Sequence, residues 1–278
     1  MQIFELLKAV LFGIVEGVTE WLPISSTGHM ILLNELIPFT GVSENFYSMF
    51  EVVVQLGAIL AVVVLYWGKI WPFGRNAQTG KPCVKMPIIT LWIKILIACV
   101  PAAVIGLLFD EVFERLFYNY VCVAIALIVF GVAFIVIETL HKGKKPRIRS
   151  LSRLDYTTAL LIGVFQVIAA IFPGTSRSGA TIVGALLLGV SRKVAAEFTF
   201  FLAIPVMFGA SLLKLVKYGL AFTGMELVIL LLSMAVAFVV SIVVIKFLMD
   251  YIKKHDFKAF GWYRIALGAL VLIFFWLR

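Results

Sequence analysis

The sequence has little of what keeps a soluble protein in water. Only 14% of its 278 residues are charged and 63% are apolar, and the mean hydropathy is +1.09. Soluble domains run nearer half apolar and a quarter charged. This composition excludes an ordinary soluble domain and predicts an all-α polytopic membrane protein, folded as one integral membrane domain.

Cysteine is also scarce, and a cleavable secretory signal is not evident. Cys83, Cys99 and Cys122 match neither a disulfide framework nor a metal-binding spacing. Residues 1–18 lack a basic leading stretch and a small-residue cleavage site, and they carry Glu5 and Glu16. We therefore expect the first apolar segment to be part of the fold.

The net charge of +9 could suggest a nucleic-acid partner, but its distribution argues against one. The bases cluster in short loops beside apolar segments, at 68–88, at 139–155 and before the last segment, whereas 110–117 is acidic. By the positive-inside rule the three basic loops are cytoplasmic and the acidic loop is external. Counting crossings places both termini outside, and we expect no nucleic-acid partner.

Six stretches are long enough to cross a bilayer core of ~30 Å, which takes about 20 helical residues. They are 47–67, 89–109, 118–138, 194–216, 226–248 and 259–277. Two further apolar regions are interrupted: 6–37 breaks at 23–28, and 156–190 breaks at 173–179. Each piece is too short to span, so we predict two re-entrant helix pairs, the first entering from the outer face and the second from the inner face.

The two interrupted regions also predict an inverted-topology repeat. At an offset of 150 the first break matches the second, with Ala9, Gly13, Pro23 and Ser26 falling on Ala159, Gly163, Pro173 and Ser176, and Glu16 on Gln166. We assign 1–140 to the first repeat, 141–155 to a basic cytoplasmic linker and 156–278 to the second, inverted repeat. Interrupted segments at matching places in two halves point to a site near the midplane.

The first break concentrates polar groups inside oily sequence. It contains Glu16, Glu20, Ser25, Ser26, Thr27, Gly28 and His29. Glu16 and Glu20 are four apart and share one helical face. Pro23 should end that helix, and the hydroxyls can cap a new helix starting near Gly28. Ionisable groups are costly in hydrocarbon, so the cluster predicts a functional site; hydrogen bonding to neighbouring helices is the structural alternative.

The second break has the composition of an anion site. It contains Gly174, Thr175, Ser176, Arg177, Ser178 and Gly179. Arg177 lies near a predicted helix start, where a cation is favourable if an anion shares the place. Helix amides, small hydroxyls, glycines and a guanidinium together can bind phosphate. The alternative is that Arg177 pairs with a buried Glu16 or Glu20.

Together the two breaks suggest phosphoryl transfer on a lipid-linked phosphate. Carboxylates repel a phosphate unless a divalent metal bridges them, so Glu16 and Glu20 imply Mg²⁺ or Ca²⁺ as a cofactor. Arg177 and the amides of 176–179 would hold the phosphate oxygens.

At these residues the sequence resembles the bacitracin-resistance type of undecaprenyl pyrophosphate phosphatase. The matching motifs are Glu16-x-x-x-Glu20-x-Leu22-Pro23-x-Ser25-Ser26-Thr27-Gly28-His29 and Pro173-Gly174-x-Ser176-Arg177-Ser178-Gly179-Ala180-Thr181. Two shorter stretches also fit, Phe50-Glu51-Val52-x-x-Gln55-Leu56-Gly57 and Glu197-Phe198-x-Phe200-x-x-Ala203-x-Pro205. The resemblance covers essentially the whole chain.

The resemblance implies removal of the terminal phosphate of undecaprenyl pyrophosphate, a polyprenyl lipid, which recycles the carrier for peptidoglycan and confers bacitracin resistance. It implies a multi-pass protein of the bacterial cytoplasmic (inner) membrane. The family's essential glutamates map to Glu16 and Glu20, its histidine to His29 and its arginine to Arg177. Its motif hydroxyls map to Ser25, Ser26 and Thr27.

Several alternatives stay open. Ser26 is our first choice for the nucleophile, with His29 and a metal-bound water as rivals. Glu51 and Glu197 could support the site residues, although we interpret them as structural residues that hydrogen-bond one helix to another. A lipid-phosphate flippase would use the same inverted-repeat architecture. The resemblance and the topology together predict an outward-facing site among membrane lipids, and a homodimer stays open beside a monomer.

Overall fold

In the computed structural model the chain is a bundle of helices, described for residues 2–75, 80–219 and 222–276. The predicted loop 68–88 and span 259–277 each reach residues outside this part of the chain. The described part has twelve α-helices and one short hairpin. The first half contains α1 (Gln2–Thr19), α2 (Ser26–Leu36), α3 (Phe46–Val53), α4 (Gln55–Leu65), α5 (Trp67–Ile70), β1 (Phe73–Arg75), β2 (Pro82–Val84), α6 (Met86–Phe117) and α7 (Tyr120–Leu140). The second half contains α8 (Tyr156–Ile171), α9 (Arg177–Leu187), α10 (Arg192–Tyr218), α11 (Gly224–Lys254) and α12 (Lys258–Trp276).

Six helical segments are long and apolar enough to cross a membrane, as predicted. They are Phe46–Leu65, Met86–Phe109, Tyr120–Leu140, Arg192–Tyr218, Gly224–Lys254 and Lys258–Trp276. The first of these comprises α3 and α4, which meet at Val54. Length and apolar composition are local properties, which explains why the sequence located these spans within a few residues.

One predicted loop is wrong. The acidic stretch 110–117 belongs to α6, which continues without interruption to Phe117. The side chains of Asp110, Glu111 and Glu114 lie outside the described part. The stretch contains no glycine or proline, so nothing in its backbone chemistry ends the helix where the apolar run ends.

Both interrupted regions are indeed broken helices, although both breaks lie a few residues earlier than predicted. Helix α8 ends at Ile171 and α9 begins at Arg177, inside the predicted break 173–179. Helix α1 ends at Thr19, four residues before Pro23, and α2 begins at Ser26 rather than Gly28. The Thr19 hydroxyl donates to the Val15 carbonyl at 2.7 Å, and the Glu20 N–H still donates to the Glu16 carbonyl at 3.0 Å, so the last helical turn extends to Glu20.

The two breaks close with the same cap. Ser25 precedes α2 with φ of 75°, and its Oγ accepts from the Gly28 N–H at 3.3 Å. Ser176 precedes α9 with φ of 68°, and its Oγ accepts from the Gly179 N–H at 3.1 Å. These are the only non-glycine residues with positive φ in the described part, a strained conformation that concentrates at functional sites. The caps are 151 residues apart, so Ser26 corresponds to Arg177 rather than to Ser176.

The long helices pack through glycines, in a pattern that is alike in the two halves. Helix α1 packs on α11 and helix α8 packs on α6. A Cβ on Gly13 would lie 2.6 Å from the Ser233 carbonyl oxygen, and one on Gly163 would lie 2.1 Å from the Ala98 carbonyl oxygen. Helices α7 and α12 pack on each other. Small residues allow such close backbone approach between membrane helices.

The largest cluster of buried apolar side chains includes Trp21 of the first break. Trp21, in the first break, is 1% exposed and packs edge-on against Phe200 of α10, with ring centroids 5.2 Å apart. A second cluster stacks Phe12 of α1 on Phe39 at 4.7 Å. These contacts hold the irregular backbone of the breaks inside protein, which is where such backbone is tolerated in a membrane.

Candidate active site

Glu20 joins the two broken helices. Its side chain is 6% exposed and accepts a hydrogen bond from Ser26 Oγ at 2.6 Å on one oxygen. The other oxygen forms an ion pair with the guanidinium of Arg177. Ser178 Oγ donates to the Glu20 carbonyl at 3.2 Å. The predicted acid, nucleophile and cation therefore meet at one point, and the predicted alternative of an Arg177–Glu20 pair is present in this conformation.

A cavity of about 140 Å³, which we call the clamp cavity, opens beside this point. Its lining includes Glu20, Ser26, Thr27, Gly174, Ser176 and Arg177, together with Gln55, Ala169, Pro173, Val206, Met207 and Ala210. The lining therefore brings together a carboxylate, hydroxyls and a guanidinium. This is the arrangement of groups that a phosphate bound for transfer requires.

Glu16 lies in a second cavity of about 210 Å³, the acid cavity. It is lined by Glu16, Thr27, Met30, Glu51, Val52, Gln55, Phe113, Tyr118, Ala169, Ala170, Ile171, Pro173 and Lys214. Thr27, Gln55 and Pro173 also line the clamp cavity, so the two spaces adjoin. Glu16 is 0% exposed, and neither of its carboxyl oxygens has a hydrogen-bond partner among the described residues.

The second break supplies the polar end of α9. Ser176 Oγ lies 3.1 Å from Ser178 Oγ. These hydroxyls lie at the N-terminus of α9, the end at which a helix favours an anion. Gly174 has φ of 90° and packs so closely on α7 that a Cβ would lie 2.6 Å from the Val123 carbonyl oxygen. Thr175 is fully buried and its Oγ1 has no partner among the described residues.

His29 lies away from both cavities. Its Nδ1 is 2.7 Å from the Ser25 carbonyl oxygen and its Nε2 is 2.7 Å from the Tyr263 hydroxyl on α12. The two rings stack with centroids 5.6 Å apart. Nδ1 must carry the proton to bond a carbonyl, so Nε2 accepts from Tyr263. The contact with Tyr263 of α12 thus occupies the ring nitrogen that the Ser25 carbonyl leaves available.

Arg264 is the residue that the sequence reasoning missed. It is fully buried, and its guanidinium donates to the carbonyls of Pro23 (3.2 Å), Gly174 (3.0 Å) and Thr175 (2.7 Å). It thus ties the first break to the second through backbone oxygens that have no helical partner. Its signal in the sequence is a single arginine inside the apolar span 259–277. Charges in the loops alone do not reveal it.

Glu51 and Glu197, the glutamates of the two shorter family motifs, lie in different surroundings. Glu51 lines the acid cavity and accepts a hydrogen bond from the Tyr118 hydroxyl at 2.5 Å. Glu197 instead pairs with Lys69 at 3.0 Å and lines neither cavity. Glu51 therefore belongs with the candidate site, whereas the contacts of Glu197 fit the structural interpretation.

The donor set limits how a cation could be held. Among the described residues there is no group of three His, Cys, Asp or Glu side chains positioned to bind a metal. Glu16 fits a cation ligand because its buried oxygens accept no hydrogen bond from the described part of the chain. Glu20 fits less well, because Ser26 and Arg177 each use one of its oxygens.

Fold and site together define a polytopic membrane protein with a buried acid, hydroxyl and guanidinium between two broken helices. The chain belongs to the family described as bacitracin resistance protein BacA, which matches residues 9–270. It is 65% identical over 275 residues to the undecaprenyl-diphosphatase of Desulfitobacterium hafniense, covering 99% of this chain and 98% of that protein. It is 63% identical to undecaprenyl-diphosphatase 1 of Clostridium acetobutylicum, covering 99% of both chains. The undecaprenyl-diphosphatase of Acetivibrio thermocellus is 60% identical, with 98% of both chains covered.

Proposed function

We propose that this protein removes the terminal phosphate of undecaprenyl diphosphate, a polyprenyl pyrophosphate lipid, and releases undecaprenyl phosphate. The family and the names of relatives at 60–65% identity support this activity. The observation that carries it is the contact of Ser26 and Arg177 with the single carboxylate of Glu20. The activity regenerates the lipid carrier for peptidoglycan, and the family name connects it with bacitracin resistance.

Ser26 is the nucleophile that this geometry favours. Glu20 accepts the Ser26 proton while Oγ attacks the terminal phosphorus. The new Oγ–P bond forms as the bridging P–O bond breaks, and undecaprenyl phosphate leaves. Water then cleaves the seryl phosphate and releases inorganic phosphate. His29 is the weaker candidate, because both of its ring nitrogens are engaged outside the cavities.

Arg177 is placed to bind the phosphate that is transferred. In the resting site its guanidinium pairs with Glu20 at the wall of the clamp cavity. A phosphate entering that cavity can replace the carboxylate on the guanidinium, which frees Glu20 to take the Ser26 proton. The planar guanidinium can donate to two oxygens of one phosphate, and the N-terminal amides of α9 add a partial positive charge.

A divalent cation, Mg²⁺ or Ca²⁺, is part of the proposal. Glu16 is the residue of this chain that would hold it, with Glu20 as the second carboxylate that the sequence predicts. When bound, the cation would neutralise phosphate charge beside the carboxylates. Glu16 keeps its carboxylate buried next to the clamp cavity, whatever the second ligand is.

For the architecture we propose two re-entrant pairs, α1–α2 and α8–α9, in an inverted repeat with the site open to the outer side of the cytoplasmic membrane. The matching caps at Ser25 and Ser176 support the repeat, as does the packing of α1 on α11 and α8 on α6. The same features favour the runner-up function, a lipid-phosphate flippase, since transporters share this architecture.

Phosphate release by the detergent-purified protein tests the function. We expect undecaprenyl diphosphate to yield inorganic phosphate, and chelation to abolish the reaction. Glu20→Gln and Glu16→Gln should each lower the rate by about 10²-fold or more. Glu197→Gln is the matched control, because Glu197 lies outside both cavities, and it should keep its rate. Lipid movement across vesicles without phosphate release would establish the flippase instead.

A further inference from the structure

We propose that the active-site cation binds in the acid cavity between Glu16 and Glu51, rather than between Glu16 and Glu20. The inference rests on the proposed phosphatase function and assigns the cation its second carboxylate. Glu51 stands 31 positions from Glu20 in sequence and on a different helix, α3, so the two assignments can be separated by mutation.

The carboxylate of Glu16 is the first reason. It is fully buried, it lines the acid cavity, and neither oxygen has a hydrogen-bond partner among the described residues. A buried ionised carboxylate without hydrogen bonds is disfavoured. A cation in the cavity would supply the missing partner to both oxygens.

The engagement of Glu20 is the second reason. One of its oxygens accepts from Ser26 and the other pairs with Arg177. A cation bound there would compete with a guanidinium for the same carboxylate and would take Glu20 away from the Ser26 proton. Glu51 lines the acid cavity and not the clamp cavity, so a cation held by Glu16 and Glu51 leaves these two contacts of Glu20 in place.

Glu51 and its neighbours supply the ligand type that Mg²⁺ and Ca²⁺ take. The acid cavity presents the carboxylates of Glu16 and Glu51, the amide of Gln55 and the hydroxyl of Thr27. Hard cations bind such oxygen donors and complete their shell with water or phosphate. Tyr118 donates to one carboxyl oxygen of Glu51 at 2.5 Å, an outer hydrogen bond of the kind that orients metal ligands.

The charges in the acid cavity point the same way. Among the described residues that line it, two are carboxylates and one, Lys214, is cationic. Lys214 Nζ lies 3.5 Å from Ser48 Oγ. One ammonium leaves a net negative charge beside the cavity that must accept an anionic diphosphate. A divalent cation would reverse that sign at the boundary the two cavities share, at Thr27 and Gln55.

A route for the cation also leads to this place. A third cavity of about 220 Å³ shares Glu51 and Tyr118 with the acid cavity. Its lining adds Asn34 and the exposed Glu35 near the end of α2. Carboxylates at Glu35, Glu51 and Glu16 thus follow one another from the surface to the buried site, a series that attracts cations.

Calcium and magnesium binding to the detergent-purified full chain, measured by calorimetry without lipid substrate, tests the assignment. We expect Glu16→Gln and Glu51→Gln each to weaken binding by about tenfold or more, because each removes a charged ligand. Glu20→Gln should stay within about threefold of the unmodified protein, since it leaves the assigned ligands in place. Glu197→Gln makes the same chemical change outside the cavities and should bind normally.

Three results would overturn the assignment: normal binding by Glu51→Gln, loss of binding by Glu20→Gln at the level of Glu16→Gln, or no binding by the unmodified protein. If Glu51→Gln fails to fold, Glu51→Ala and Tyr118→Phe replace it. The first must lose binding, and the second must weaken it less while keeping the carboxylate. Phosphate release by the unmodified protein is scored separately. Release together with normal binding by Glu51→Gln refutes the cation site alone, and binding without release refutes the phosphatase function alone.

Discussion

Arg177 pairs with the carboxylate of Glu20, and in the proposed mechanism it also binds the phosphate. The ion pair with Glu20 is largely buried, with the Arg177 side chain 15% exposed. A lysine could still neutralise Glu20 but could not grip two phosphate oxygens at once. The lysine and alanine variants should therefore fail in different ways.

We expect Arg177→Lys to lose roughly 10²–10³-fold in rate while its thermal stability in detergent stays near that of the unmodified protein. Arg177→Ala should lose rate and also stability, by about 3–5 kcal/mol, because a buried carboxylate is left unpaired. Phosphate release and thermal unfolding measure the two effects. Arg192→Lys is the control, since Arg192 pairs with Glu138 at 2.8 Å outside both cavities and should keep its rate. A fully active Arg177→Lys would reduce Arg177 to a counter-charge.

Helices α8 and α6 are held at a distance that only glycine permits. Gly163 faces the backbone of α6, where a Cβ would lie 2.1 Å from the Ala98 oxygen. Gly209, within α10, has nothing within 4 Å of its Cβ position. Because α8 leads into the second break, its distance from α6 also helps to set where Arg177 lies.

Gly163→Ala should therefore destabilise the protein by about 1–3 kcal/mol, since the methyl group forces two helices apart. Gly209→Ala should be neutral or stabilising by up to about 1 kcal/mol, because alanine favours a helix and meets no neighbour. Thermal unfolding in the same detergent compares the two variants. Equal stability in both would mean that α8 can move away from α6 without cost.

The loops of the whole molecule carry the charge asymmetry that predicts its orientation. Glu44 is exposed after α2, in the first half. Lys144 is exposed in the basic stretch before α8. Under the proposed topology these positions lie on opposite sides of the membrane, because lysine and arginine are retained on the cytoplasmic side.

A cysteine at position 44 should react with an impermeant thiol reagent in intact cells, and one at position 144 should react only after permeabilisation. Cys83, Cys99 and Cys122 are replaced first, so that each variant has one thiol. Labelling of both variants in permeabilised cells controls for accessibility. The reverse pattern in intact cells would invert the proposed topology and place the site on the cytoplasmic side.

Much of the element order could be predicted because it depends on local chemistry. Apolar runs of spanning length predicted the six spans. Two other apolar runs, interrupted near Pro23 and Pro173, predicted the two breaks. The exact ends could not be predicted in the same way. Helix α1 stops at Thr19, four residues before Pro23, and α6 runs past its apolar stretch to Phe117. Helix ends depend on hydrogen bonds and neighbours that hydropathy does not describe.

The sequence by itself determined which groups are chemically unusual, because acids, hydroxyls and an arginine in oily sequence stand out wherever they fold. Only the tertiary structure decided how they combine. Glu20 and Arg177 are 157 positions apart and meet because two broken helices pack together. Contacts with α12 turn His29 toward Tyr263 and bring Arg264 to the carbonyls of both breaks. Glu51 reaches the cavity of Glu16 from α3. Such pairings depend on distances between helices, and neither residue type nor spacing along one chain specifies those distances.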